Sequence, residues 1–187
     1  KKIGTGQIVF MLAPRLNAVG RMGDAGRAVR LLVAKDHYEA TSVAEVLEKE
    51  NRERRDLDER TFHEAIELIE TQMDPENAPA FVLSSDQWHP GVIGIVASRL
   101  VERYYRPTVM IAVDDGVGKG SARSISGFNL YNAIESCEEL TLAFGGHKYA
   151  AGLSIEEGLI PQLRERVQAY ADENLNEEML TKSLDIE

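Results

Sequence analysis

Two kinds of hydrophobic pattern alternate along the second half of the chain. Residues 80–84 and 108–113 are short apolar runs, and residues 91–105 between them repeat apolar positions at helical spacing. This order predicts a strand, a helix and a second strand, the βαβ pattern. The later segments alternate in the same way and predict strands at residues 116–124, 142–144 and 150–155 and helices at residues 129–135 and 159–174. The expected fold is α/β, a mixed sheet flanked by helices.

A long helix is predicted to precede this domain, over residues 36–74. No Gly or Pro interrupts residues 37–73, and apolar positions recur at helical spacing near both ends. Residues 48–56 contain no apolar side chain, so the middle of the helix is expected to lie in solvent as a connector between two bodies. The spacing predicts two supporting ion pairs along the helix, Glu48 with Arg52 and Glu50 with Arg54.

The two ends of the chain differ from this pattern. Residues 13–35 predict a basic, glycine-bearing loop followed by a short helix, and the loop contains Arg15, Asn17 and Arg21. Residues 176–187 predict a linker. The opening KKIGTGQIVFML places an apolar run, residues 8–12, at the very start, which leads us to expect a piece of a longer chain.

Composition narrows the class of protein. The chain has 187 residues and 43% hydrophobic residues, enough for one main domain. Its single cysteine, Cys137, cannot form an internal disulfide and is expected to be a small buried side chain. Because no signal peptide or 18-residue apolar run is present, we expect a cytoplasmic protein with no membrane partner.

Charge is distributed unevenly. The net charge of −10 argues against a nucleic-acid partner, since phosphate binding needs clustered Lys and Arg. Residues 1–35 nevertheless carry seven basic and one acidic residue, whereas the remainder carries 14 basic and 30 acidic residues. This asymmetry indicates that the N-terminal part faces an anion or an acidic surface.

The stretch FGGHKYAAGLSI, residues 144–155, contains the first candidate site. Two glycines allow backbone N–H groups to converge on an anion, and the imidazole of His147 adds a donor, so Gly145, Gly146 and His147 could bind phosphate or sugar. The alternative is a tight turn at the two glycines beside a half-buried histidine with no role in binding.

Other candidate donors lie elsewhere in the second half. Arg123 lies among small residues in GKGSARSISG and could hold a phosphate in a bidentate manner, with Ser121 and Ser124 as further donors. A surface ion pair is the alternative for this arginine. His89 lies at the start of a predicted helix, where the dipole favours anions, whereas the adjacent Trp88 is expected to anchor the core.

No catalytic centre is predicted. The histidines at 37, 63, 89 and 147 are scattered, and no Asp–His cluster has metal-ligand spacing. The segment GVGKGS does not satisfy the GxxxxGK[ST] pattern of a phosphate-binding loop, and no Gly-x-Ser-x-Gly segment occurs. The sequence therefore offers binding groups, with no catalytic and no metal-binding residue.

Several segments, taken in order, resemble one family. They are LAPRLNAVGRM, the long connector, WHPGVIGIVASRL with RPTVMI, GKGSARSISGFNLYNAIESC and FGGHKYAAGLSI. Together they resemble the RecJ family of single-strand-specific 5′ to 3′ DNA exonucleases, in the DHH phosphoesterase superfamily. Gly-Gly-His followed by small residues is the signature of the DHH-associated domain, and WHPG and LNAVGR favour RecJ over other members.

The resemblance implies a division of the chain. Residues 1–35 would be the tail of a missing DHH catalytic domain, residues 36–74 the connector helix, residues 75–175 the DHH-associated substrate-binding domain, and residues 176–187 a linker to a further domain. The Mn²⁺ or Mg²⁺ ions of such enzymes would be bound by residues absent from this chain, so the chain alone is expected to be inactive and without a cofactor.

The resemblance also implies roles and partners. Gly145, Gly146, His147 and Arg123 match substrate-contacting positions, and Arg15, Asn17 and Arg21 match a loop near the cleft. The implied partners are single-stranded DNA, the missing catalytic domain and other DNA-repair proteins, and the implied activity serves DNA repair and recombination. Two alternatives remain: part of an oligoribonuclease or cyclic-dinucleotide phosphodiesterase of the same superfamily, or a non-catalytic protein-interaction scaffold.

Overall fold

A computed structural model describes residues 3–182. The chain divides into two units, Lys1–Glu59 and Arg60–Glu187. The α-helices are α1 (Thr5–Gln7), α2 (Ala13–Met22), α3 (Gly26–Val33), α4 (His37–Gln72), α5 (Pro90–Tyr104), α6 (Leu130–Glu135) and α7 (Ile160–Asn174). A π-helical segment, Ile8–Leu12, joins α1 to α2, and single 3-10 turns occupy Glu138–Leu140 and Glu157–Leu159.

The second unit contains one mixed sheet, as the sequence predicted. Its strands are β1 (Phe81–Ser85), β2 (Thr108–Asp114), β3 (Val117–Arg123), β4 (Thr141–His147) and β5 (Ala150–Glu156). The order across the sheet is β1-β2-β3-β5-β4. Only β1 and β2 are parallel, with α5 as their crossover, and the other neighbours are antiparallel. The α/β fold with a mixed sheet is thereby confirmed.

Each side of the sheet has its own core. On one side, α5 buries Ile93, Val96 and Leu100 against alternate residues of β1 and β2 such as Phe81 and Met110. Trp88 is 4% exposed in this cluster, and its Nε1 donates to Glu64 Oε2 at 3.0 Å, which confirms it as a core anchor. On the other side, α6 and α7 cover the intervening strand residues, and their contributions include Leu130, Ile134, Leu163 and Val167.

The helix α5 starts and ends as its sequence requires. Pro90 occupies the first turn, where its missing N–H costs nothing, and Nδ1 of His89 accepts a hydrogen bond from Gly91 N at 3.0 Å as the N-cap. The helix ends at Tyr105, which adopts a left-handed conformation with φ 53°. Arg106 then donates to the carbonyls of Ala78 and Glu76 and fixes the entry into β2.

The first unit corrects one prediction. Residues 13–22 form the helix α2, whereas the sequence predicted a loop carrying Arg15, Asn17 and Arg21. Pro14 is tolerated because it lies in the first turn, and Gly20 costs only about 1 kcal/mol within a helix. Packing offsets that cost, since Val19 is fully buried against Val43 and Leu47 of α4.

The long helix predicted before the sheet domain is confirmed, but its middle is not bare. Asn51 is fully buried and Glu50 is 9% exposed. The predicted partners within the helix are replaced, because Glu48 pairs with Arg15 of α2 and Glu50 with Arg27 of α3. Helices α2 and α3 pack on this part of α4 through Val19, Leu16, Ala28 and Leu31, and this packing brings their arginines to the glutamates.

Three further features concern the cysteine, the segment after α7 and the length of the helices. Cys137 is fully buried, its Sγ donates to Ala133 O, and burial raises the pKa of the thiol, so it behaves as the predicted small core residue. In the segment 175–180 after α7, Leu175 and Leu180 pack on the core of the second unit and Met179 contacts Gly127. None of the helices within residues 3–182 combines the length and apolar character that a membrane span requires.

The α7 face of the core should dominate the stability of the second unit. Leu163 is fully buried, so Leu163→Ala is expected to lower the free energy of unfolding by about 2–5 kcal/mol. Leu142 is 59% exposed, and Leu142→Ala should change it by less than about 0.5 kcal/mol. Urea titration followed by the fluorescence of Trp88, the only tryptophan, measures both. Equal losses in the two variants would contradict this assignment of the core.

Candidate nucleic-acid interface

One side of the sheet is covered only in part. Helix α5 packs over β1, β2 and the near edge of β3. The pairing registers then place three rows of side chains on the same side, continuing across β3, β5 and β4. We call this surface the open face; its residues are Lys119, Ser121 and Arg123 of β3, Ala150, Gly152 and Ser154 of β5, and Ala143, Gly145 and His147 of β4.

The floor of the open face consists of small residues. Ser121, Gly152 and Gly145 form one row, and Arg123, Ala150 and His147 form the next. All of the open-face residues are exposed or half-buried, in contrast to buried alternate positions of β3 and β5 such as Ala122 and Ile155. A chain of atoms could therefore approach the sheet backbone closely along this strip.

Arg123 is positioned by its own strand and by α5. Its Nη1 donates to Ser121 Oγ at 3.1 Å and to Ala122 O at 2.8 Å. A Cβ on Gly94 of α5 would lie 3.0 Å from Arg123 Nη2 and 2.8 Å from Ser121 Oγ. The glycine in the helix thus leaves the space that the guanidinium and the hydroxyl occupy. Because Ser121 Oγ accepts from Arg123, its own hydrogen remains a donor.

The two glycines lie within β4 and do not form a turn. Gly145 pairs with Gly152, Gly146 with Ala151, and His147 with Ala150. Gly146 has φ +148°, and a Cβ there would lie 2.6 Å from Ala151 Cα, so only glycine fits. A Cβ on Gly145 would meet nothing within 4 Å. Close backbone approach therefore requires glycine at position 146, whereas position 145 has room for a side chain.

His147 lies at the end of strand β4 in the β4–β5 hairpin, and the turn of this hairpin accepts hydrogen bonds from residues outside it. The turn residues are Lys148 and Tyr149, whose carbonyls accept from Leu130 N at 3.1 Å and Ser124 N at 3.0 Å. The Nδ1 of His147 accepts from Tyr149 N at 3.3 Å, which leaves Nε2 as the hydrogen-bearing nitrogen of the neutral ring. The imidazole is exposed and is fixed in orientation by this bond.

Electrostatics distinguish the open face from the rest of the chain. Lys119 and Arg123 are cationic, His147 offers a further hydrogen-bond donor, and none of the nine open-face residues is acidic. The chain as a whole has a net charge of −10. Acidic residues follow in the next row on the same side, at Glu156 of β5 and Asp114 of β2. The net charge of the whole chain nevertheless does not describe the open face, where Lys119 and Arg123 make the local charge positive.

Two other predicted donors have structural uses. Ser124 Oγ donates to Phe128 O at 2.9 Å, and this bond fixes the loop between β3 and α6. His89 caps α5 through Nδ1, so only its Nε2 side remains for a ligand. Neither residue belongs to the open face.

Arg15, Asn17 and Arg21 all lie on α2 in the first unit. Arg15 pairs with Glu48 and donates to Met11 O at 2.6 Å. Asn17 and Arg21 are exposed. Close by on α4, Asn51 Nδ2 and Glu50 Oε2 are buried without a hydrogen-bond partner in the described structure.

Sequence reasoning missed five of the nine residues of this surface, and it also missed Gly94 of α5, which leaves room for Arg123. The segments GKGSAR and AAGLS alternate small and polar residues with period 2, yet no role was given to Lys119, Ala143, Ala150, Gly152 and Ser154. That alternation indicates a strand with one side buried and one side open to solvent. The register that aligns the three strands depends on tertiary pairing, which the alternation does not supply.

The described residues offer no site for a divalent metal ion. Among residues 3–182, no group of three or more His, Cys, Asp and Glu side chains is arranged to hold a metal ion. The donors on the open face are cationic or hydroxylic, which suits an anion and does not suit a divalent cation. The residues present in the described range do not fit an Mn²⁺ or Mg²⁺ site.

Comparison with known proteins agrees with the observed fold. The DHHA1 domain family matches residues 77–173, which include α5, the whole sheet and most of α7. The chain belongs to the DHHA1 domain family. The resemblance to RecJ is confirmed as well, because the single-stranded-DNA-specific exonuclease RecJ of Bacillus subtilis is 44% identical over 171 residues, 90% of this chain.

Solved structures give the same result for the fold. The crystal structure of RecJ in complex with Mg²⁺ from Thermus thermophilus is 41% identical, covers 89% of this chain and superposes with a TM-score of 0.81. The structure of the same protein in complex with Mn²⁺ also gives 0.81. The present DHHA1 chain spans 22% of the Bacillus subtilis protein and 26% of the Mg²⁺-bound chain.

The different environments of the two glycines lead to a matched test on the DHHA1 domain. Gly146→Ala forces a Cβ against the β5 backbone at positive φ and is expected to lower the free energy of unfolding by about 2–3 kcal/mol. Gly145→Ala enters open space and should change it by less than about 0.5 kcal/mol. Urea titration compares the two variants. The interpretation of Gly146 is wrong if both variants are equally stable.

Proposed function

We propose that the DHHA1 domain binds single-stranded DNA on the open face, as the substrate-binding part of a RecJ-like exonuclease that hydrolyses DNA from 5′ to 3′. The observation that carries this proposal is the row Arg123, Ala150 and His147. It places two side chains that can donate hydrogen bonds to phosphate, Arg123 and His147, on either side of a floor of small residues. The names of the similar proteins, single-stranded-DNA-specific exonucleases, support DNA over RNA or cyclic dinucleotides as substrate.

The chemistry of the open face suits a phosphodiester backbone. A guanidinium and a hydroxyl, Arg123 and Ser121, converge at one point of β3 and can donate to the same phosphate. His147 lies two strands away, about 10 Å at ordinary strand spacing, and can contact a different part of the strand through Nε2. Contacts of this kind are independent of base sequence.

Hydrolysis itself is assigned to another part of the longer protein. The Thermus thermophilus structures contain Mg²⁺ or Mn²⁺, and the described residues of this chain do not fit such a site. In the proposed enzyme these divalent ions supply the Lewis-acid chemistry, held by residues outside this chain. The DHHA1 domain orients the backbone by donating hydrogen bonds from Arg123, Ser121 and His147.

The first unit is proposed to pack against that catalytic domain. Its helices expose large apolar side chains, of which Phe10 is 77%, Leu32 73% and Val33 65% exposed. Apolar side chains exposed in such number are typical of a surface that is covered in the complete protein. A role in DNA repair and recombination, with other repair proteins as partners and a cytoplasmic location, follows from the proposed substrate.

The proposal can be tested through the salt dependence of binding. In the full-length protein that contains this chain, Arg123→Ala should weaken binding of single-stranded DNA and reduce the slope of log K against log salt by about one. Arg166→Ala removes the same charge from α7, on the other side of the sheet, where the arginine pairs with Glu139. It should leave the slope unchanged. Identical slopes for wild type and Arg123→Ala would count against Arg123 as a phosphate ligand.

The small floor allows a second, steric test. A Cβ on Gly152 would meet only Gly120 O at 3.7 Å, so Gly152→Leu should fold normally while filling the open face. DNA affinity is expected to fall by at least about tenfold, since the backbone can no longer approach the sheet. Gly158→Leu is the matched control, because Gly158 has open space around it and lies in the 3-10 turn outside the open face. Full affinity in a folded Gly152→Leu protein would exclude the open face as the binding surface.

A further inference from the structure

Tyr149 is the only exposed aromatic residue among the described residues of the second unit, 60–182. Its side chain is 44% exposed, whereas the other Phe, Tyr and Trp residues of that range are buried or half-buried. It lies in the β4–β5 turn, two residues after His147 and directly before Ala150 of the open face.

The structure fixes Tyr149 in place. Its backbone N donates to His147 Nδ1 at 3.3 Å, and its carbonyl accepts from Ser124 N at 3.0 Å. Lys148 Nζ lies 4.6 Å from the centroid of the tyrosine ring, and the ring meets that of His147 edge to face with centroids 6.4 Å apart. An exposed aromatic ring with so few free torsions can contact a ligand at little cost in conformational entropy.

We propose that Tyr149 stacks on a nucleobase of the strand bound at the open face. This inference rests on the proposed function and adds to it a contact with a base beside the contacts with phosphate. Every base presents a flat π surface, so a stacked tyrosine strengthens binding without selecting a sequence. Lys148 Nζ lies over one face of the ring and His147 meets the ring edge to face, so the base would stack on the opposite face. Both residues carry donors that the adjoining backbone needs. A nucleotide is thereby held at both its base and its phosphate.

The surroundings of Tyr149 favour a nucleic acid over a protein partner. The other large hydrophobic side chains exposed in the described part of this unit are Val117 and Leu142. Val117 begins β3 and Leu142 lies near the start of β4, whereas Tyr149 follows the end of β4, so the three do not form one apolar patch. A protein interface typically needs such a patch. A single ring flanked by a lysine and a histidine matches a base-stacking site instead.

The experiment measures the binding of two oligonucleotides to the full-length protein. A metal chelator is present so that the DNA stays intact. One is an ordinary single strand, and the other is a strand of abasic deoxyribose phosphates of equal length. Tyr149→Ala should raise the Kd for the ordinary strand about tenfold, the range for loss of one stacked base, and leave the abasic strand and the salt slope unchanged. Tyr149→Phe keeps the ring and should stay within about twofold of wild type, as should Leu142→Ala, which removes an exposed apolar side chain elsewhere on β4.

The outcomes separate this inference from the proposed function. If Arg123→Ala weakens binding while Tyr149→Ala does not, the stacking role is wrong and the phosphate site stands. If Tyr149→Ala weakens binding of both strands equally, the tyrosine acts through the fold of the hairpin and stacking is again wrong. Absence of binding by the wild-type protein to either strand overturns the proposed function and the inference together.

Discussion

The pairing of β5 with both β3 and β4 is the constraint on which the candidate site depends. Strand β5 lies between β3 and β4, and its Ala150 joins Arg123 to His147 in one row. The open-face side chains of β5 are small. The opposite sides of the same residues pack into the α6–α7 core through Ala151, Leu153 and Ile155. Loss of that core would therefore misalign the rows of donors before any donor itself was changed.

Glycine supports this arrangement at two points by two mechanisms. Gly94 keeps α5 close to β3 while leaving room for Ser121 Oγ and Arg123 Nη2. Gly146 lets β4 approach β5 with a backbone conformation that other residues rarely adopt. In both cases the absence of a Cβ lets a neighbouring group take its place: Arg123 and Ser121 beside Gly94, and His147 after Gly146. This explains why glycines accompany the arginine and the histidine in motifs that are distant in sequence.

Most of the fold follows from local sequence, and most of the site does not. The period-2 and helical patterns predicted every strand of the sheet and the helices α4 to α7, because each buries a regular stripe or face. Residues 13–22 were misjudged because Pro14 and Gly20 are typical of loops, and burial of Val19 against α4 outweighs their propensity. The ion pairs of α4 were predicted with the wrong partners for a related reason. Arg15 and Arg27 belong to α2 and α3, which only tertiary packing brings close to α4.

The site illustrates the same limit more sharply. Arg123 and His147 could be selected by residue type, but the row that unites them is a matter of register across three strands, and register is fixed by long-range pairing. Net charge was misleading in the same way, because it averages over surfaces that a ligand never meets. What a strand of DNA would meet at the open face is a local surface with two cations, a histidine and no acidic residue among its nine, although Glu156 follows in the next row on the same side. An acidic protein can present such a surface where its basic residues cluster locally.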